Sequence, residues 1–129
     1  MIAVDTSSLV AYFQGGHGDD VNEVERALEM KQLVLPPVVL TEILSDAKLS
    51  SSFVGLVLQI PMLSVLDGYW ERAGKSRSKV LKRGNKARVA DALIAQTCID
   101  NNTPLLTRDK DFRHFESVCG LKLHLKKDI

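Results

Sequence analysis

A chain of 129 residues with 45% hydrophobic and 26% charged side chains has ordinary globular proportions, which exclude a disordered tail, a collagenous repeat and a disulfide scaffold. Its length predicts one domain over residues 1–129 with a single core. The net charge of +1 hides an uneven distribution: residues 1–70 hold three basic and nine acidic side chains, residues 71–90 eight basic and one acidic, and residues 91–129 six of each.

Short apolar runs alternate with longer periodic ones along the chain. Ile2-Ala3-Val4 reads as a strand, and Ser7 or Ser8 caps a helix to about Gln14. After Gly15-Gly16-His17-Gly18, the spacing of Val21, Val24, Ala27 and Leu28 predicts a helix from Asp20 to Met30, capped by Asp19 or Asp20. Leu33-Val34-Leu35 is a second strand, and Pro36-Pro37 opens a helix through Leu44. Phe53 to Ile60 is predicted as a helix and Met62 to Leu66 as a third strand. A basic helix from Tyr69 to Lys82 ends at Gly84-Asn85, and a long helix runs from about Ala87 to Asp100. Pro104 to Thr107 is a fourth strand, Phe112 to Val118 a short helix, and Leu121 to His124 a last strand. The alternation predicts an α/β sandwich with a mostly parallel sheet.

The stretch Phe53 to Leu66, broken by Gln59 and Pro61, falls short of the roughly 20 residues that span a bilayer. Met1-Ile2-Ala3-Val4-Asp5 has no basic segment or long apolar core, so no secretory leader is expected. Cys98 and Cys119 are accordingly expected as reduced thiols in the cytoplasm.

Acids that follow strands are informative in a parallel sheet, because loops at the carboxyl ends of the strands converge on one edge. Asp5 follows the first strand directly, and Asp109 and Asp111 follow the fourth. Each also suits a turn or a helix cap. Asp91 shares a helix face with Ala87, Ile94, Ala95 and Cys98, so it lies on or beside the stripe that faces the core. An unpaired carboxylate there costs several kcal/mol, which calls for a compensating cation, a hydrogen-bond network or a raised pKa. Glu42 occupies a boundary position that an ordinary exposed glutamate would also fill. An all-oxygen donor set, with no HxxxH or CxxC spacing, disfavours zinc and suits Mg²⁺ or Mn²⁺. The basic run Arg72, Lys75, Arg77, Lys79, Lys82, Arg83, Lys86 and Arg88 is either a solvated helix face or a patch that binds phosphate. A divalent ion beside such a patch is what metal-assisted phosphodiester hydrolysis requires.

Asp5-Thr6-Ser7-Ser8-Leu9, Thr41-Glu42, Val89-Ala90-Asp91-Ala92-Leu93-Ile94-Ala95 and Leu106-Thr107-Arg108-Asp109-Lys110-Asp111-Phe112 together resemble the motifs of the PIN-domain nucleases, closest to the VapC-type toxins of toxin–antitoxin modules. The resemblance covers essentially the whole chain. It implies a PIN-like three-layer sandwich whose central sheet has four or five strands flanked by helices. It implies that Asp5, Glu42, Asp91 and Asp109 hold Mg²⁺ or Mn²⁺ for RNA cleavage, with Asp111 as a further acid and Thr6, Ser7 and Thr107 as supporting hydroxyls. It also implies an RNA substrate, a homodimer and an antitoxin partner.

Lys79, Lys82, Arg83, Lys86 and Arg88 are the candidate RNA-binding cations. A PIN ribonuclease of RNA maturation or decay carries the same motifs, and a non-catalytic binding module would need only the basic run. A haloacid-dehalogenase-type phosphatase is excluded by Ser7, where it needs an aspartate, and a receiver domain by the misplaced Asp19-Asp20 pair. Tyr69 and Trp70 either stack on bases or pack inward. Phe112 and Phe115 are spaced to pack inward, and the helix from Val38 to Leu44 with the Phe53–Leu58 segment offers either a dimer face or part of an ordinary core.

Overall fold

The computed structural model describes residues 1–125. Three parallel strands, β1 (Ile2–Val4), β2 (Leu33–Val34) and β3 (Leu105–Leu106), form a sheet in the order β2-β1-β3. Ile2 pairs with Leu33 and Ala3 with Val34 on one side of β1, and Ala3 with Leu105 and Val4 with Leu106 on the other. The helices are α1 (Thr6–Phe13), α2 (Asp19–Glu29), α3 (Pro37–Leu44), α4 (Ser51–Gln59), α5 (Tyr69–Lys82), α6 (Val89–Asp100) and α7 (Arg113–Cys119), with a 3-10 turn over Lys110–Phe112. The predicted α/β architecture with a parallel sheet flanked by helices is thus present. None of the described helices is long and apolar enough to cross a membrane.

The sheet is smaller than the four or five strands expected. Met62 and Leu123 each make a single parallel bridge, to Leu35 and Leu105, and form no ladder. At Met62 the reason lies in the partner: Leu35 N donates to Pro61 O and Leu63 N to Leu35 O, and the next donor in a parallel register would be residue 37. That residue is proline and has no N–H. At Leu123 the chain leaves the ladder at once, since His124 and Leu125 form a turn with Leu125 at φ +58°.

Two expected helix caps also move. Asp5, not Ser7 or Ser8, caps α1 through a bond from Thr6 N, and Gly18, not Asp19 or Asp20, occupies the cap of α2. Gly18 sits at φ +137°, a conformation that side chains disfavour. Asp20 is thereby free to turn toward another element.

The core gathers Val4, Leu9, Val24, Leu35, Val39, Ile94, Phe112 and Phe115 around the sheet. Burying each large aliphatic or aromatic side chain contributes roughly 1.5–3 kcal/mol. The α6 helix is buried on almost every side, packed against α5, α3 and α7. Its few polar side chains are therefore internal. Because β1 is central and the chain crosses from it to β2 on one side and returns to β3 on the other, the ends of β1 and β3 mark the switch point where open parallel sheets bind ligands.

Candidate active site

Asp5 leaves β1 at this switch point and is only 5% exposed. Its Oδ1 accepts from Thr6 N at 2.7 Å, and its Oδ2 accepts from Ser7 Oγ and from Thr107 Oγ1, both at 2.8 Å. Burial pushes its carboxyl above the usual aspartate value, these three bonds oppose the rise, and the charge of Asp109 adds to it. Thr107, just past β3, accepts from Asp109 N at 3.0 Å while donating to Asp5. Asp109 Oδ1 in turn caps the 3-10 turn by accepting from Asp111 N at 2.9 Å.

Asp91 projects from the first turn of α6 and is 6% exposed. Its carboxyl is likewise raised by burial, against the pull of Arg88, with Asp109 and Asp5 adding like charge. The Arg88 guanidinium bridges the acids: Nε reaches Asp91 Oδ2 at 3.3 Å and a terminal nitrogen reaches Asp109 Oδ2 at 3.4 Å. The charge of Asp111 also acts on it. Glu42 on α3 is exposed, yet its Oε1 accepts from Thr6 Oγ1 at 2.7 Å, which ties it to the residue bonded to Asp5.

Asp5, Thr6, Ser7, Glu42, Arg88, Asp91, Thr107 and Asp109 therefore form one continuous chain of hydrogen bonds and ion pairs, with Asp111 at its end. Among the described residues, no three His, Cys, Asp or Glu side chains are gathered as a cage for an ion. Hydroxyls and a guanidinium space the carboxylates instead. The donor chemistry nevertheless fits a hard divalent cation. Every donor is oxygen, two of the carboxylates are buried, and a cation already bridges two of them.

Sequence reading missed the clasp behind this edge. Arg108 donates from Nε and a terminal nitrogen to both oxygens of Asp20, at 2.7 and 2.9 Å, and to His17 O at 3.1 Å. Asp20 Oδ2 also accepts from the buried Ser8 Oγ at 2.8 Å. The clasp locks the Thr107–Asp109 segment to α1 and α2. The only available signal was an arginine inside the acidic motif, and nothing local marks its partner.

The basic run divides. Lys79, Lys82, Arg83 and Lys86 are exposed. Arg72 is instead paired with Asp100 at 2.6 and 3.0 Å and lowers that carboxyl, and Arg77 Nε donates to Ala87 O at 2.7 Å. Tyr69 is buried, its hydroxyl donating to Leu93 O at 2.6 Å, whereas Trp70 is 61% exposed. Phe112 and Phe115 are fully buried, as their spacing implied. Cys98 and Cys119 are free, and burial raises the Cys98 thiol.

The PIN domain family model matches residues 2–118. The chain belongs to the PIN domain family. PIN domains are typically nucleases and generally use divalent metal ions. Among solved structures, this PIN domain is similar to VapBC2 from Rickettsia felis, bound to a DNA fragment from its promoter, at 22% identity and a TM-score of 0.68 over 96% of this chain and 98% of that one. It is also similar to FitAcB from Neisseria gonorrhoeae, at 19% identity and a TM-score of 0.70 over 95% and 96% of the two chains. At these identities the likeness is one of fold. No curated protein sequence matches the chain.

Proposed function

We propose that this PIN domain is a Mg²⁺- or Mn²⁺-dependent endoribonuclease and the toxin of a VapBC-type toxin–antitoxin pair. The observation that carries the reading is the connection of Asp5, Glu42, Asp91 and Asp109, from four separate segments, into one network at the sheet's switch point. Asp5, Glu42, Asp91 and Asp109 would hold the ion, with Asp111 as a further acid. When bound, it activates water for attack on phosphorus and offsets charge in the transition state.

The chain's own residues prepare that chemistry. Thr107 and Ser7 donate to Asp5 Oδ2 and orient the carboxylate, while Thr6 does the same for Glu42. Burial and like charge leave Asp5 and Asp91 short of compensation, a deficit that a divalent ion removes. Exposed Lys79, Lys82, Arg83 and Lys86 would supply a phosphate track, in the segment of chain that runs into Arg88.

The toxin assignment draws on the similarity in fold to VapBC2, and from it we further infer an antitoxin partner and a cytoplasmic location. We also infer a homodimer, with exposed Leu44 on α3 and Leu58 on α4 as its candidate contacts. Asp5→Asn and Asp91→Asn test the reading. Both should abolish Mg²⁺- or Mn²⁺-dependent RNA cleavage while RNA affinity stays equal or rises, because lost negative charge relieves repulsion of phosphate. Wild-type cleavage rates in both variants would refute the metal assignment.

A further inference from the structure

We propose that Arg88 is an exchangeable counter-cation: in the metal-free protein it occupies the acidic edge, and a divalent ion displaces it toward the RNA backbone. The inference rests on the metal-dependent nuclease reading and adds a coupling between metal and substrate.

Among the described residues three arginines pair with aspartates, and they are not alike. Arg108 meets Asp20 at 2.7 and 2.9 Å, and Arg72 meets Asp100 at 2.6 and 3.0 Å. Both are bidentate on one carboxylate, at distances normal for charge-assisted bonds. Arg88 splits its fork between two carboxylates at 3.3 and 3.4 Å, and its side chain stays 73% exposed. Its contacts are the longest of the three and the most open to water. A cation held this way balances Asp91 and Asp109 yet can leave at small cost.

The backbone beneath it is anchored. Arg88 occupies the N-cap position of α6, its carbonyl accepting from Ala92 N at 3.1 Å, and the carbonyl of Ala87, the residue before it, accepts from Arg77 Nε at 2.7 Å. Displacement is therefore a side-chain swing rather than a loop movement. A guanidinium expelled from the carboxylates stays in the same segment of chain as exposed Lys86, Arg83 and Lys82, two to six residues away. Metal entry thus adds one cation to the phosphate track and removes negative charge beneath it. Metal and RNA should then bind with positive coupling, and the coupling must be reciprocal.

Mn²⁺ titration by calorimetry on the full chain tests the exchange, using wild type, Arg88→Gln, Arg88→Lys and, as a control for general charge, Lys86→Gln. Arg88→Gln should bind Mn²⁺ about tenfold more tightly than wild type. Arg88→Lys, which keeps the charge but cannot fork between two carboxylates, should fall between them, and Lys86→Gln should stay within about twofold of wild type. The dependence of RNA affinity on Mn²⁺ should shrink in Arg88→Gln, with the salt slope gaining about 0.7 log units on metal addition only in wild type. Circular dichroism establishes that each variant is folded. Equal Mn²⁺ affinity in wild type and Arg88→Gln, or equal tightening in Lys86→Gln, overturns the exchange and leaves the metal site standing. Failure of wild type and Arg88→Gln alike to bind millimolar Mn²⁺ removes the metal reading itself.

Discussion

Thr107 Oγ1 donates to Asp5 Oδ2 at 2.8 Å, joining two residues 102 positions apart. The same hydroxyl accepts from Asp109 N, so one side chain spaces two of the site's acids. Thr107→Val keeps the shape and removes both bonds, leaving a buried carboxylate with fewer donors. We expect it to destabilise the fold by about 1–3 kcal/mol and to weaken Mn²⁺ binding, whereas Thr107→Ser should restore both. Denaturant unfolding and Mn²⁺ titration of the pair check this, and a Thr107→Val protein as stable as wild type would show that the bond contributes nothing.

Asp5 carries a pH signature. Its carboxyl is raised above 3.8, chiefly by burial, so the folded metal-free protein holds the proton more tightly than the unfolded chain. The stability this group contributes is present in full below pH 3.8 and is lost as pH rises through its folded value. At pH 7, Asp5→Asn should therefore melt a few degrees higher than wild type in chelator, and the gain should vanish toward pH 4. Divalent ions should raise the midpoint of wild type and leave that of Asp5→Asn nearly unmoved. Scanning calorimetry across pH, with and without Mn²⁺, measures both effects.

The clasp between Asp20 and Arg108 has the opposite sign. Arg108 holds the Asp20 carboxyl below 3.8, so its contribution is present above that value and lost as pH falls through the depressed one. Asp20→Asn should cost about 1 kcal/mol at pH 7, in keeping with a partly exposed pair. RNA turnover should fall more than RNA affinity does, because the segment from Thr107 to Asp109 loosens. Steady-state kinetics showing an unchanged kcat would confine the clasp to stability.

Replacing Lys79, Lys82 and Arg83 together by Ala should weaken RNA binding and reduce its salt slope by about 0.7 log units for each lost phosphate contact. Fluorescence anisotropy over a range of salt reads this slope. An unchanged slope would make the exposed cations of α5 a merely solvated face.

Sequence pattern exposed some features and concealed others for physical reasons. Asp91 was legible as a buried carboxylate because helical periodicity alone places it among Ile94, Ala95 and Cys98. Asp5 and Asp109 were legible through their position after strands, which topology turns into proximity. Arg88 was not: within a run of cations it reads as solvent-facing, and only the fold brings Asp109 within reach of it. Arg108 and Asp20 lie 88 positions apart with no local mark of pairing. The strand expected at Met62 was apolar enough to pair, but its neighbour's Pro37 removed the donor that a ladder needs.

Anomalous diffraction from crystals soaked in Mn²⁺ would locate the ion directly. A manganese peak within coordinating distance of carboxylate oxygens of Asp5 and of Asp91 or Asp109, with Arg88 turned away from both of its partners, is the predicted result. Manganese seated elsewhere, or no ion at this edge in crystals of protein that cleaves RNA, would contradict it.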